Sequence, residues 1–201
     1  MRPDAFVMFQ RLIVPAFVFL SLSAASARAQ GTVVCVPGTG GVINCPCSNN
    51  GGPGAGCNNS LNTGGAALTA TGVNSLSNDS VQLNCTGIGT SGVNCNGNNT
   101  NIISQLWEGA NPVSGGVVYG DGVMCTTAPF YLLTAQVTQA GVFHFPVPGT
   151  TGLSQAAISA GDVLAAGQTR WYYVIYRDSC PSFCTPSLRQ KSNSYQITWT
   201  P

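Results

Sequence analysis

The sequence predicts an all-β protein: an antiparallel, jelly-roll-like β-sandwich preceded by a disulfide-stapled, glycine-rich arm. Three observations carry that expectation. Short β-prone runs recur from Gly64 onward, separated by Gly, Asn, Asp and Pro turn signals. Almost no stretch shows helical periodicity. All nine cysteines lie after an N-terminal leader, most densely in a stretch too rich in glycine to build a core of its own.

The leader comes first. Arg2 and Arg11 give a positive start, Leu12–Leu22 is an apolar run, and Ala27-Arg28-Ala29 supplies a small-x-small cleavage pattern. Residues 1–29 therefore read as a signal peptide, its apolar run too short to span a bilayer. The expected product is an exported chain with no membrane span after cleavage, destined for the medium, the cell surface or the periplasm. That product is the size of one domain. It carries only four basic residues (Arg170, Arg177, Arg189, Lys191) against five acids (Asp79, Glu108, Asp121, Asp162, Asp178). A basic stripe that could displace counterions from nucleic acid is missing, and so is a polybasic membrane patch. Aromatic and β-branched residues abound after Ile102, which argues against disorder.

Residues 30–62 form the expected coil arm, and residues 63–201 the sandwich. The arm contains "CPCSNNGGPGAGC" (Cys45–Cys57). Its C-x-C-x9-C spacing is unlike the paired C-x2–4-C of zinc knots, and the single histidine, His144, is far along the chain. Cys-Pro-Cys has neither the helix N-terminus nor the basic neighbour that makes a thiol reactive. "GGPGAG" lacks the Lys-Ser/Thr of a phosphate loop. A staple is left. In an oxidising compartment Cys35, Cys45, Cys47, Cys57, Cys85, Cys95, Cys125, Cys180 and Cys184 are all disulfide candidates, with one left over because nine is odd. Sequence proximity favours Cys85 with Cys95, one of Cys45 and Cys47 with Cys35 and the other with Cys57, and Cys125 with Cys180 or Cys184.

In the sandwich, "AALTATGV" and "SVQLNC" read as strands, followed by "IISQLWEG" and "GGVVYGDG" separated at Asn111-Pro112. "FYLLTAQVT" and "GVFHFPV" read as a hairpin, with His144 facing solvent between two inward phenylalanines. "LSQAAISAGDVLAAG" has room for one helical turn before Gly161. "TRWYYVIYRD" is the strongest strand. Trp171, Tyr173 and Ile175 alternate with Tyr172, Val174 and Tyr176, so apolar side chains point both ways and the strand is expected to be interior and covered on both faces. "SYQITWT" closes the chain.

Four motifs in order, "CPCSNNGGPGAGCNNSLNTGGAALTATG", "YGDGVMC", "TRWYYVIYRDSCPSFCTPS" and "SNSYQITW", make the chain resemble a recurring secreted, cysteine-containing β-rich domain of planctomycete-type bacteria. The resemblance spans Cys35–Trp199 and implies an exported domain with no assigned activity. The chain departs from that pattern in its additional Cys85, Cys95 and Cys180. It also lacks an aspartate after Cys35, which weakens a calcium site at that loop.

Chemistry is sparse. Asp121, in Gly-Asp-Gly, is the acid best placed for calcium, but calcium needs several further oxygen ligands and the motif is also an ordinary turn. No other cofactor is expected. Glu108 with Asp121 as a glycosidase pair, or His144 as a general base, has nothing beyond residue type to support it. Arg177 beside Asp178 reads as a structural ion pair. Trp107, Asp121 and Tyr172 are the candidate binding residues, Trp107 being the better placed aromatic because core burial is the commoner fate on an interior strand. The expected function is a non-catalytic secreted or surface module, structural or adhesive. The alternative is a glycan-binding module using exposed aromatics and Asn-rich loops. Extracellular polysaccharide or surface proteins are the expected partners.

Overall fold

The computed structural model describes residues 31–90, 101–138, 140–178, 180, 183–184 and 187–201. The expected leader and Cys95 lie outside them. The fold is antiparallel and all-β, as expected. One sheet contains β1 (Gly31–Val34), β4 (Ile103–Tyr119), β5 (Gly122–Val137), β7 (Thr169–Arg177), β8 (Arg189–Lys191) and β9 (Ser194–Thr198), with the order β1-β9-β7-β4-β5 and β8 beside β7. The other contains β2 (Ala67–Thr71), β3 (Gln82–Thr86) and β6 (Phe143–Phe145), in the order β2-β3-β6. The first residues of the expected coil arm are thus an edge strand, β1, paired to β9.

Alternation decides which side chains meet between the sheets. Leu106 of β4, Tyr172, Val174 and Tyr176 of β7 and Ile197 of β9 face Leu68, Leu83, Phe143 and Phe145 of the smaller sheet in one buried cluster, with Trp199. Burying each large apolar side chain contributes about 1.5–3 kcal/mol. His144 points outward between its buried neighbours, as the alternation predicts. The helix α1 (Leu153–Ser159) is longer than the single turn expected, and it stops just before Gly161, whose φ is +99°.

Two strand expectations need correction. Asn111-Pro112 is no break: β4 continues through it. Beyond Gly109 the strand leaves β7 and pairs with β5 alone, so a residue without N–H is accommodated beside the register shift between Pro112 and Val117. "GVFHFPV" does not form a hairpin with β5. Its strand β6 pairs with β3 in the other sheet, which buries Phe143 and Phe145 against the core.

The sheets are joined by a polar device. β8 and β9 both pair along the same edge of β7, interrupted at Ser192-Asn193. There the Ser192 N–H donates to the Val174 carbonyl and the Ser192 hydroxyl accepts from the Val174 N–H, both at 3.0 Å. Asn193 is freed to reach the opposite sheet. Its Oδ1 accepts the Leu68 N–H at 2.6 Å and its Nδ2 donates to the Leu68 carbonyl at 3.0 Å.

The arm is a staple. Cys45 pairs with Cys57, as one of the alternatives had it, but Cys35 pairs with Cys125 and Cys47 with Cys184. Cys180 is also disulfide-bonded. Cys85 is the exception: it is free and buried between the sheets, where burial pushes its thiol pKa well up. Sequence proximity failed for these pairs because the arm crosses the hairpin and the chain's end in space. Gly65 shows how closely the chain packs there: at φ +86°, a Cβ on it would lie 2.3 Å from the Gly56 carbonyl oxygen.

Asn193→Ala leaves the buried N–H and C=O of Leu68 without their partners. It is expected to cost about 2–6 kcal/mol, at about 1–3 kcal/mol for each of the two orphaned groups. Urea denaturation of both proteins checks this, and a loss below about 0.5 kcal/mol contradicts the role given to Asn193.

Candidate functional site

The open face of the larger sheet carries the site. Trp107 and Gln105 of β4 point to it, as do Tyr173, Ile175 and Arg177 of β7, opposite the face that packs on β2-β3-β6. Ile103, Phe130, Leu132 and Val137 are exposed large apolar residues on β4 and β5.

Only part of this face is covered, and the cover is the hairpin itself. Trp107 and Met124 line the same cavity, with Tyr119, Phe130, Tyr173 and Ile175. A straight strand would carry Val117, the partner of Met124, about 33 Å from Trp107, so the far half of the β4–β5 hairpin has turned back over the sheet. Its tip is fixed to β8, where the Asp121 N–H donates to the Arg189 carbonyl at 2.9 Å. Gly120, at φ +60°, lies so near β8 that a Cβ there would be 2.3 Å from the Arg189 carbonyl oxygen. Cys35–Cys125 ties the returning strand to the arm, and the Ile43 N–H donates to the Gly115 carbonyl at 2.8 Å.

The cavity under the hairpin has a volume of about 120 Å³. Beside it, a second cavity of about 430 Å³ is lined by Ile103, Gln105, Ile175, Arg177, Leu188 and Arg189, among others. Ile175 borders both. Two hydrogen bonds also link them: Trp107 Nε1 donates to Gln105 Oε1 at 3.2 Å, and Arg189 Nη1 donates to the Tyr119 hydroxyl at 3.2 Å. Together they form one groove with aromatic walls at one end and guanidinium groups at the other.

Of the expected binding residues, Trp107 lies in this groove, half-buried. Tyr172 does not. It faces the core with no exposed surface, and its hydroxyl accepts a hydrogen bond from Trp199 Nε1 at 3.0 Å. Asp121 is buried at the hairpin tip, where its carbonyl accepts from Asn49 Nδ2 at 3.0 Å. Among the described residues no three His, Cys, Asp or Glu side chains gather as a metal-binding group. The Asn-rich loops are also structural in part. Asn49 Nδ2 bonds the Asn58 carbonyl as well, and Asn59 is buried with Nδ2 donating to the Gly87 carbonyl and the Tyr176 hydroxyl. Tyr119, Phe130, Tyr173 and Arg189 were missed by sequence reasoning, because only the turned-back hairpin brings them together.

Two further sets of charged groups are buried. Glu108 faces the core beside Asp162 and Arg170. Arg170 forms a two-pronged pair with Asp162, at 2.8 and 3.0 Å, and its Nε is 3.6 Å from Glu108. Burial pushes the Glu108 carboxyl up to about 8, and the neighbouring Asp162 adds in the same direction. Burial also acts to raise Asp162, but the donors of Arg170 and the Glu108 carboxyl outweigh it and hold Asp162 below the ordinary range. Lys191, fully buried, has its Nζ 4.0 Å from the centre of the Tyr173 ring and 3.2 Å from Ser194 Oγ. Burial brings it down to about 7. No family model, curated protein or solved structure matches this chain.

Opposite pH slopes follow. Between the ordinary glutamate value and about 8 the folded chain holds a proton on Glu108 that the unfolded chain has released, so stability falls as pH rises. Between about 7 and the ordinary lysine value the unfolded chain holds a proton on Lys191 that the folded chain has lost, so stability rises with pH. Each limb has a slope of about 1.4 kcal/mol per pH unit. Denaturation across this range is expected to lose the falling limb in Glu108→Gln and the rising limb in Lys191→Met. Unchanged slopes in both variants contradict the assignment.

Proposed function

We propose that this chain is a non-catalytic, exported adhesive module that grips an extracellular polysaccharide in the groove of its open sheet face. The disulfides and the β-rich fold mark a stabilised domain of extracellular type. No helix among the described residues is long and apolar enough to cross a membrane. The observation that carries the reading is the aromatic end of the groove. Trp107, Tyr119 and Phe130 border one cavity, Trp107 and Tyr119 half-buried and Phe130 39% exposed. Flat aromatic faces with a polar tip suit sugar rings, which present apolar C–H faces ringed by hydroxyls. Gln105 and the Tyr119 hydroxyl stand within the groove to hydrogen-bond such hydroxyls.

The acids fit a non-catalytic role. Glu108 and Asp162 are enclosed with Arg170 between the sheets, and Asp121 is buried in a turn, so Glu108 and Asp121 do not face each other across a cleft as a glycosidase pair would. A purely structural role is the second reading, favoured by the number of bridges that lock the arm to the sandwich.

Intrinsic fluorescence during titration with a panel of neutral and acidic polysaccharides tests the proposal. A saturable change is expected with at least one of them, and Trp107→Ala is expected to lose it and weaken binding about tenfold or more, at 1.4 kcal/mol per tenfold. No response to any polysaccharide, with none retained by an affinity matrix, would leave the structural reading in its place.

A further inference from the structure

We infer that the groove selects an acidic polysaccharide, with Arg177 and Arg189 holding a uronate carboxylate or sulfate ester while a neighbouring sugar ring lies on Trp107. This rests on the polysaccharide reading above and names the ligand class. The first support is where the charges are. Among the described residues Glu108, Asp121, Asp162, Arg170, Asp178 and Lys191 are buried. Asp79 is half-buried and accepts hydrogen bonds from Ser154 and from the Val81 N–H. The exposed charges among the described residues are Arg177 and Arg189, both positive and both bordering the 430 Å³ cavity.

They are also paired with each other. Arg177 lies directly opposite Arg189 across the β7–β8 ladder. Like charges in that position repel. The nearest acid in sequence does not relieve them. Asp178, expected to pair with Arg177, accepts hydrogen bonds from the backbone and the hydroxyl of Ser60 instead. Arg170, the other arginine of the sandwich, is satisfied by Asp162. Two guanidinium forks on one face, with no acid between them, present a ready site for a planar oxyanion, which arginine binds through parallel N–H bonds.

The geometry extends this pair into the aromatic end. The hydrogen bond from Arg189 to the Tyr119 hydroxyl joins the two, and Ile175 floors both cavities. Tyr173 to Arg177 is four residues, about 13 Å along a strand, which suits a short run of linked sugars better than a single ring. Two exposed cations are too few for a nucleic-acid backbone. A mixed surface of stacking rings and one paired cationic spot matches an acidic glycan, whose rings and charges alternate.

Affinity electrophoresis in gels containing alginate, dextran sulfate, neutral dextran or poly-L-glutamate, at low and high salt, tests the inference on the full exported chain. Retention by alginate or dextran sulfate is expected to exceed that by dextran at least tenfold and to weaken with salt. The preferred gel identifies the anion as carboxylate or sulfate. Arg177→Gln/Arg189→Gln, which removes a repulsive exposed pair and is expected to fold, should lose that preference while Trp107→Ala loses retention altogether. Equal retention by dextran, equal retention by polyglutamate, or a double variant that binds alginate like the parent would overturn the inference. If Trp107→Ala still abolishes binding in those cases, the polysaccharide reading stands without its acidic preference. Absence of retention in every gel overturns both.

Discussion

The return of the β4–β5 hairpin over its own sheet is the constraint on which the rest of the structure depends. An extended ribbon of that length would project into solvent with its apolar residues bare, and two strands alone are marginally stable in water. Turned back, it shelters Tyr173 and Ile175, brings Tyr119 and Met124 to the cavity that Trp107 lines, and places Asp121 on β8. The arm holds it there. A segment with little apolar content could not do so by burial alone, so covalent bonds substitute: Cys45–Cys57 shapes the arm, Cys35–Cys125 fixes it to the hairpin, and Cys47–Cys184 fixes it near the end of the chain. A small apolar cluster of Val123 with Cys35, Cys45, Cys57 and Cys125 marks the joint.

The distribution of charge follows from the same economy. The chain has few ionisable groups, and among the described residues the folded structure encloses most of them. Buried charges must be paired or change protonation state. Arg170 and Asp162 take the first course; Glu108 and Lys191 take the second, each shifted toward its neutral form by burial. The core is therefore sensitive to pH although its apolar packing is not. Among the described residues the acids are buried or half-buried and the two groove arginines are the exposed charges, which gives that spot electrostatic weight out of proportion to its size.

Much of the fold was legible in the sequence, and most of the site was not. β7 announces itself through alternating aromatics, and β9, the outward His144 and the stop before Gly161 follow from elementary periodicity and turn chemistry. Pro112 misled because proline marks a break in most strands, and only the absence of a second neighbour beyond Gly109 makes it harmless here. Disulfide partners were illegible because spacing reports loop length, while pairing depends on which loops cross in space. Trp107 could be singled out as an aromatic beside a loop. Its companions Tyr119, Phe130 and Tyr173 are scattered over three strands, and nothing local signals that the hairpin will gather them. The Asp178 pairing failed for a similar reason: the carboxylate found the Ser60 backbone, a long-range partner, before its own neighbour.

Hydrogen exchange on the intact protein and on Cys35→Ser/Cys125→Ser tests the central claim most directly. If the arm pins the hairpin, amides of residues 117–124 should exchange at least tenfold faster in the variant, while those of β7 and β9 keep their protection. If residues 117–124 stay as protected as in the intact protein, the hairpin holds its position without the arm, and the account of how the groove is built is wrong.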